Sequence, residues 1–168
     1  MNTGGSQAWR WQAGHTGLHL DGLRISFQRF ALGADQRLHR APASLGALPV
    51  AKADDVFLIP LAEDEGFWLG LESEHTNPIA LEIRDHDGSW VTVASRDLTA
   101  FSLVQGLTLP DGSVRPFSLH WPTRLRIRVG SHVAHVDPCD RVSYTSRTGE
   151  PAPPPLDPSS AFGGWRLP

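Results

Sequence analysis

The sequence predicts an all-β protein, an antiparallel β-sandwich or jelly roll built from successive hairpins. Three observations predict it. Apolar residues recur at every second position through short segments, the period of a strand with one buried face. Tight-turn sequences, Asp21-Gly22, His86-Asp87-Gly88, Pro110-Asp111-Gly112 and Gly130-Ser131, separate those segments and supply the positive-φ positions that hairpins need. The 16 glycines and 14 prolines, about half again the average share, fall between the segments and not in one linker. No stretch carries three turns of amphipathic helix, and no segment repeats.

The 168 residues suit one domain with a real core. Residues 1–8 are polar and glycine-rich and read as a flexible arm, residues 9–148 as a single β-sandwich domain, and residues 149–168 as a proline-rich tail. In the first hairpin the Asp21-Gly22 turn sets Leu20 opposite Leu23 and Leu18 opposite Ile25 on one face, with His19 opposite Arg24 on the other. From Gly33 to Ala53 the periodicity disappears among Pro42, Gly46 and Pro49, a long connection of the kind that serves function or an interface.

Val56 to Leu61 and Phe67 to Leu71 are nearly continuous apolar runs around Glu63-Asp64-Glu65-Gly66. They read as a central hairpin buried on both faces, with Pro60 favouring a bulge or an edge. Ile79 to Ser95 reads as a hairpin whose Gly88 takes a left-handed position, pairing Ile83 with Val91 and Leu81 with Val93. Its outer face sets Glu82 opposite Thr92 and Arg84 opposite Trp90, so that Arg84 lies on the indole. The turn at Pro110-Asp111-Gly112 predicts a further hairpin whose register the apolar residues do not settle. The last hairpin turns at Gly130-Ser131 and sets Arg128, Arg126 and Arg124 opposite Val133, His135 and Asp137, with Leu125, Ile127 and Val129 turned inward.

With 15 basic and 18 acidic residues the formal charge is −3, which argues against nucleic acid as a partner. No apolar run reaches the roughly 18 residues of a membrane helix, and the first 14 residues lack the pattern of a signal peptide. A lone cysteine, Cys139, excludes an internal disulfide and fits a cytoplasmic location. No nucleophile elbow, phosphate loop, dinucleotide fingerprint, zincin helix or paired C-x-x-C motif occurs. The expectation is therefore no cofactor and no catalytic residue.

The most metal-like stretch runs from His132 through His135 and Asp137 to Cys139 and Asp140. Strand period separates His132 from His135 onto opposite faces, and Arg126 beside His135 would repel a cation. A structural histidine with an Arg124–Asp137 ion pair is the favoured reading; a metal-assisted hydrolase or isomerase using His132, His135 and Asp137 is the alternative. Arg124, Arg126 and Arg128 form a row able to grip a carboxylate, a phosphate or an acidic partner surface, or simply a solvated face neutralised by nearby acids.

His15 and His19 lie at helical spacing among glycines that oppose a helix. Glu63-Asp64-Glu65 reads as a hydrophilic hairpin tip and Glu72-Ser73-Glu74-His75 as a loop. Cys139, between Asp137 and Asp140, reads as an unreactive thiol. Of six tryptophans, Trp68 and Trp121 suit core packing. Trp9, Trp11 and Trp165 lie near the ends, where indoles anchor interfaces or stack on sugar rings.

Three strings carry a family resemblance: Gly22-Leu23-Arg24-Ile25-Ser26-Phe27-Gln28-Arg29, then Val56-Phe57 with Phe67-Trp68-Leu69, and Phe162-Gly163-Gly164. In these the chain resembles a family of uncharacterised bacterial proteins. The resemblance implies a shared scaffold and transfers no catalytic residue. The expected function is a non-catalytic module that contacts a protein partner or a copy of itself through its aromatic termini. A carbohydrate- or small-ligand-binding module is a further alternative.

Overall fold

In β2 (Gly17–Leu20) and β3 (Leu23–Ala31) the alternate residues Leu18, Leu20, Leu23, Ile25 and Phe27 are all buried, so period-two patterning puts one face of the hairpin into the core. The computed structural model describes residues 12–14, 17–20, 22–34, 37–98 and 100–156. Its other elements are β1 (Gln12–Gly14), β4 (Ala51–Ala53), β5 (Val56–Leu61), β6 (Glu65–Ser73), β7 (Asn77–Arg84), β8 (Trp90–Leu98) and β9 (Phe101–Val104). They continue with β10 (Gly106–Thr108), β11 (Val114–Ser118), β12 (Arg124–Val129), β13 (His132–Asp140) and the helix α1 (Arg141–Thr148).

The strands form two sheets, as the patterning predicts. One has seven strands in the order β1-β2-β3-β6-β11-β10, with β9 also on β6; the other has six in the order β4-β5-β13-β12-β7-β8. All described pairings are antiparallel except β5 with β13. In the seven-stranded sheet β3 and β6 pair along nine positions from Leu23↔Ser73 to Ala31↔Glu65. Gly17 opens β2 at φ +144°, and a Cβ there would sit 2.0 Å from the carbonyl oxygen of Ile25. Only glycine permits that approach.

Several expected registers are present: Leu18↔Ile25, His19↔Arg24 and Leu20↔Leu23, and Val129↔His132 through Leu125↔Val136. The β7–β8 hairpin pairs Arg84 with Trp90, Ile83 with Val91 and Glu82 with Thr92 as expected, but Leu81 then faces Ala94 and not Val93. Val93 is the extra residue of a bulge, a device that adds local twist. The turn before β11 is closed by Gly112 N–H donating to Leu109 O at 2.9 Å, with Gly112 at φ +84°.

The expected central hairpin does not form: β5 pairs with β4 and β13, whereas β6 lies in the other sheet. Every residue of β5 is buried, because its two faces serve two cores. Phe57, Ile59 and Leu61 join the inter-sheet core, while Val56 and Leu58 join a smaller cluster with Ala51, Ala53 and Tyr144. A run buried on both faces gives no signal of its partner strand. Pro60 lies beyond Leu58, where β4 ends its pairing, so β5 is locally an edge there, as a proline requires.

Tyr144, 1 % exposed, comes from α1, a short helix that the periodicity does not reveal. Asp140 caps it by accepting the Ser143 N–H at 2.8 Å, and Gly149, at φ +75°, ends it. Residues 151–156 of the proline-rich tail lie along the domain: Arg29 donates to Pro154 O at 2.9 Å and Arg141 to Pro153 O at 2.7 Å. The described residues of the Gly33–Ala53 connection are irregular until β4, and residues 45–48 add backbone bonds to β3 at Phe27 and Arg29.

Candidate functional site

On the outer face of the six-stranded sheet, β12 presents Arg124, Arg126 and Arg128 while Leu125, Ile127 and Val129 are buried in the core. Arg124 donates through Nε and Nη2 to the two carboxylate oxygens of Asp137, at 2.7 and 2.8 Å. This is the expected pair, in fork geometry, and the carboxylate raises the pKa of the guanidinium. Arg126 grips Glu82 through Nε and Nη2, and Arg128 donates to Glu82 Oε1 at 3.0 Å. The hydrogen bond from Arg126 outweighs burial and holds the Glu82 carboxyl below the usual range.

Trp90 completes the group. The guanidinium carbon of Arg126 lies 3.9 Å from the indole centre, so the cation on Trp90 is Arg126 and not the expected Arg84. Glu82 is the reason: it sits across from Arg126 on β7 and draws the guanidinium over that strand toward Trp90. The His135 ring lies 6.2 Å from Trp90. Burial, then the charges of Arg124 and Arg126, lower the His135 pKa against the opposing pull of Asp137 and Asp55.

His135 and Asp137 share this face, but both oxygens of Asp137 are engaged by Arg124. His132 falls on the alternation of Ala134 and Val136, toward the core side. Among the described residues no three His, Cys, Asp or Glu side chains gather as metal ligands. The Cys139 thiol is pushed up to about 11, by burial first and by Asp140 second. Burial likewise raises the Tyr144 hydroxyl to about 12, with Glu150 adding to it.

The acidic cluster divides. Glu63 and Asp64 are exposed, but Glu65 is 1 % exposed, so it is not part of a hydrophilic tip. Its Oε1 accepts Leu156 N–H at 3.0 Å and Arg29 Nη1 at 3.5 Å, and its Oε2 accepts Ala62 N–H at 3.1 Å. Glu72 pairs with Arg24 at 3.2 Å at the surface.

Trp68 is half-buried and donates to Pro42 O at 3.1 Å, pinning the long connection onto the other sheet. Trp121 is 3 % exposed. Trp9, Trp11, Trp165, His15 and the Phe162-Gly163-Gly164 string lie outside the described residues. Sequence reasoning missed the double role of Glu82, because only the pairing of β7 with β12 brings it to Arg126 and Arg128. No protein family, curated protein or solved structure matches the chain significantly. Among the described residues, no helix is long and apolar enough to cross a membrane.

Proposed function

We propose that the chain is a non-catalytic β-sandwich interaction module whose Trp90–Arg126–Arg128 face contacts a protein partner with acidic side chains. One observation carries this reading: Arg126 is stacked on Trp90 and clamped by Glu82. Tryptophan and arginine are the side chains that concentrate binding energy at interfaces, and here their rotamers are ordered before a partner arrives, which lowers the cost of association. Arg126 and Arg128 share the single carboxylate of Glu82, so beside Trp90 two guanidinium groups meet one acid, on a chain whose formal charge is −3. The local excess of positive charge suits an acidic surface. Trp9, Trp11 and Trp165 extend the same reading to the termini, where a second copy of the chain is the other partner to test. The resemblance to uncharacterised bacterial proteins and the lone cysteine suit a bacterial cytoplasmic module.

The test compares wild type with the Trp90→Ala/Arg128→Glu variant, matched for fold by circular dichroism. Sedimentation velocity reads self-association and quantitative affinity capture reads partners. The expected result is a species held by wild type and weakened at least about tenfold in the variant, the scale of one interface hot spot. Identical association of the two proteins overturns the reading.

A further inference from the structure

A second group of arginines and histidines lies away from that face. Leu32, Arg37, His86, Arg115, His120 and Trp121 are among the residues that line a cleft of about 420 Å³, at the small end of the roughly 300–1,000 Å³ typical of ligand sites. We propose that this cleft binds a small organic oxyanion, a carboxylate or phosphoryl group on a compact apolar body.

The chemistry of the lining decides the sign of the ligand. Arginine and the indole N–H can only donate hydrogen bonds. The guanidinium carbon of Arg115 sits 4.0 Å from the centre of the Trp121 ring, and among the described residues Arg115 has no carboxylate partner. The arginines of the outer sheet face are different, since Arg124, Arg126 and Arg128 all hold carboxylates. Trp121, 3 % exposed, also has an Nε1–H with no acceptor among the described residues. An unanswered buried donor is costly.

The acids at the rim are engaged elsewhere and leave Arg115 unmatched. Asp111 is held by Arg37 at 3.2 Å and accepts the Ser113 N–H at 2.9 Å, and Glu63 lies 3.8 Å from His120 Nε2. Behind Trp121 the aromatic rings run in series: Phe117 is stacked on Trp121 at 5.8 Å, and Phe67 meets Phe117 in a tilted contact at 5.4 Å. Trp121 is thereby fixed to the core, and Arg115 rides on a rigid platform. Leu32, Leu109 and Pro116 supply an apolar wall, which a bare inorganic ion would leave unused.

The test follows the Trp121 indole and Arg115 Nε–H resonances by two-dimensional NMR during titration with phenyl phosphate, benzoate and inorganic phosphate at constant ionic strength. The expected result is saturable movement of both resonances with phenyl phosphate or benzoate, and whichever saturates at lower concentration assigns the head group. Arg115→Gln weakens that binding at least about tenfold, the size of a charge-assisted hydrogen bond, while Arg147→Gln, at an exposed arginine of α1, leaves it unchanged. Unmoved resonances in wild type, or equal affinity in Arg115→Gln, overturn the site. Inorganic phosphate binding as tightly as phenyl phosphate overturns the organic ligand. Since the wild-type resonances are read directly, the test does not depend on how any variant folds.

Discussion

The buried carboxylate of Glu65 accepts the backbone N–H of Leu156 at 3.0 Å across 91 residues of chain. The same carboxylate faces Arg29, which in turn donates to Pro154 O. The corner where the chain passes from one sheet to the other is thus also the anchor of the proline-rich segment.

Glu65→Ala removes the acceptor for two backbone N–H groups and leaves the guanidinium of Arg29 without its acid. The expected loss is about 2–4 kcal/mol of unfolding free energy, the range for breaking a buried, hydrogen-bonded charge pair. Glu65→Gln keeps one amide oxygen and loses less. Urea denaturation of the three proteins checks the order; equal midpoints for all three would show that the anchor contributes nothing.

Acidification destabilises the outer face through two groups that act in successive pH ranges. His135 has a folded pKa below its ordinary 6.5, from burial and then Arg124 and Arg126. The unfolded chain therefore takes up a proton first as pH falls through 6.5, and stability declines from there down to the depressed folded value. Glu82, held down by Arg126, is lowered from its ordinary 4.5. Its contribution is present above 4.5 and is lost as pH falls from there through the folded value. His135→Asn removes the upper decline and leaves the lower one. Unfolding midpoints measured between pH 7.5 and 3.5 separate the two, and an unchanged upper slope in His135→Asn would refute the assignment.

How much of this was legible depends on sequence distance. The hairpins around Gly22 and Gly130 could be read to the residue, because a two-residue turn sets the register and alternation sets the faces. The pairings of β7 with β12 and of β5 with β13 join strands far apart in the chain, and no local signal marks them. Glu82 therefore looked like an ordinary outward residue, and Glu65 looked like one acid among three at a turn. Val56 to Leu61 showed its double burial but not which sheet it joins. Asp140 and Gly149, the caps of α1, are visible in the sequence, yet eight residues give too short a pattern for helical periodicity to register. The cleft at Arg115 was not legible at all, since the loops that line it meet only in the folded domain.

Cys139 gives a direct chemical check on the environment of β13. With its pKa raised from 9.0 to about 11, the native thiol has about a hundredfold less thiolate at neutral pH than the unfolded one, and thiolate is the reacting form. Alkylation by iodoacetamide at pH 7.5 is expected to be slower by at least that factor in native protein than in urea. Comparable rates would mean that Cys139 is neither buried nor under the influence of Asp140.

The last prediction separates ordering from contact on the arginine face. Glu82 touches both Arg126 and Arg128, so Glu82→Gln weakens the clamp without removing either arginine or the indole. Arg128 is 46 % exposed at its side chain, and its share of the energy is small because solvent screens it. The main coupling is between Glu82 and Arg126. A double-mutant cycle on those two is expected to give about 1–2 kcal/mol, the scale of a partly buried, bidentate pair. If the proposed interface depends on a pre-ordered Arg126, Glu82→Gln also weakens partner binding although Trp90 and all three arginines remain. If instead the arginines act only as solvent-facing charge, removing the carboxylate makes the face more positive and strengthens binding to an acidic partner. The sign of that change, read in the same capture experiment as the Trp90→Ala/Arg128→Glu variant, decides between a rigid docking surface and a diffuse electrostatic one.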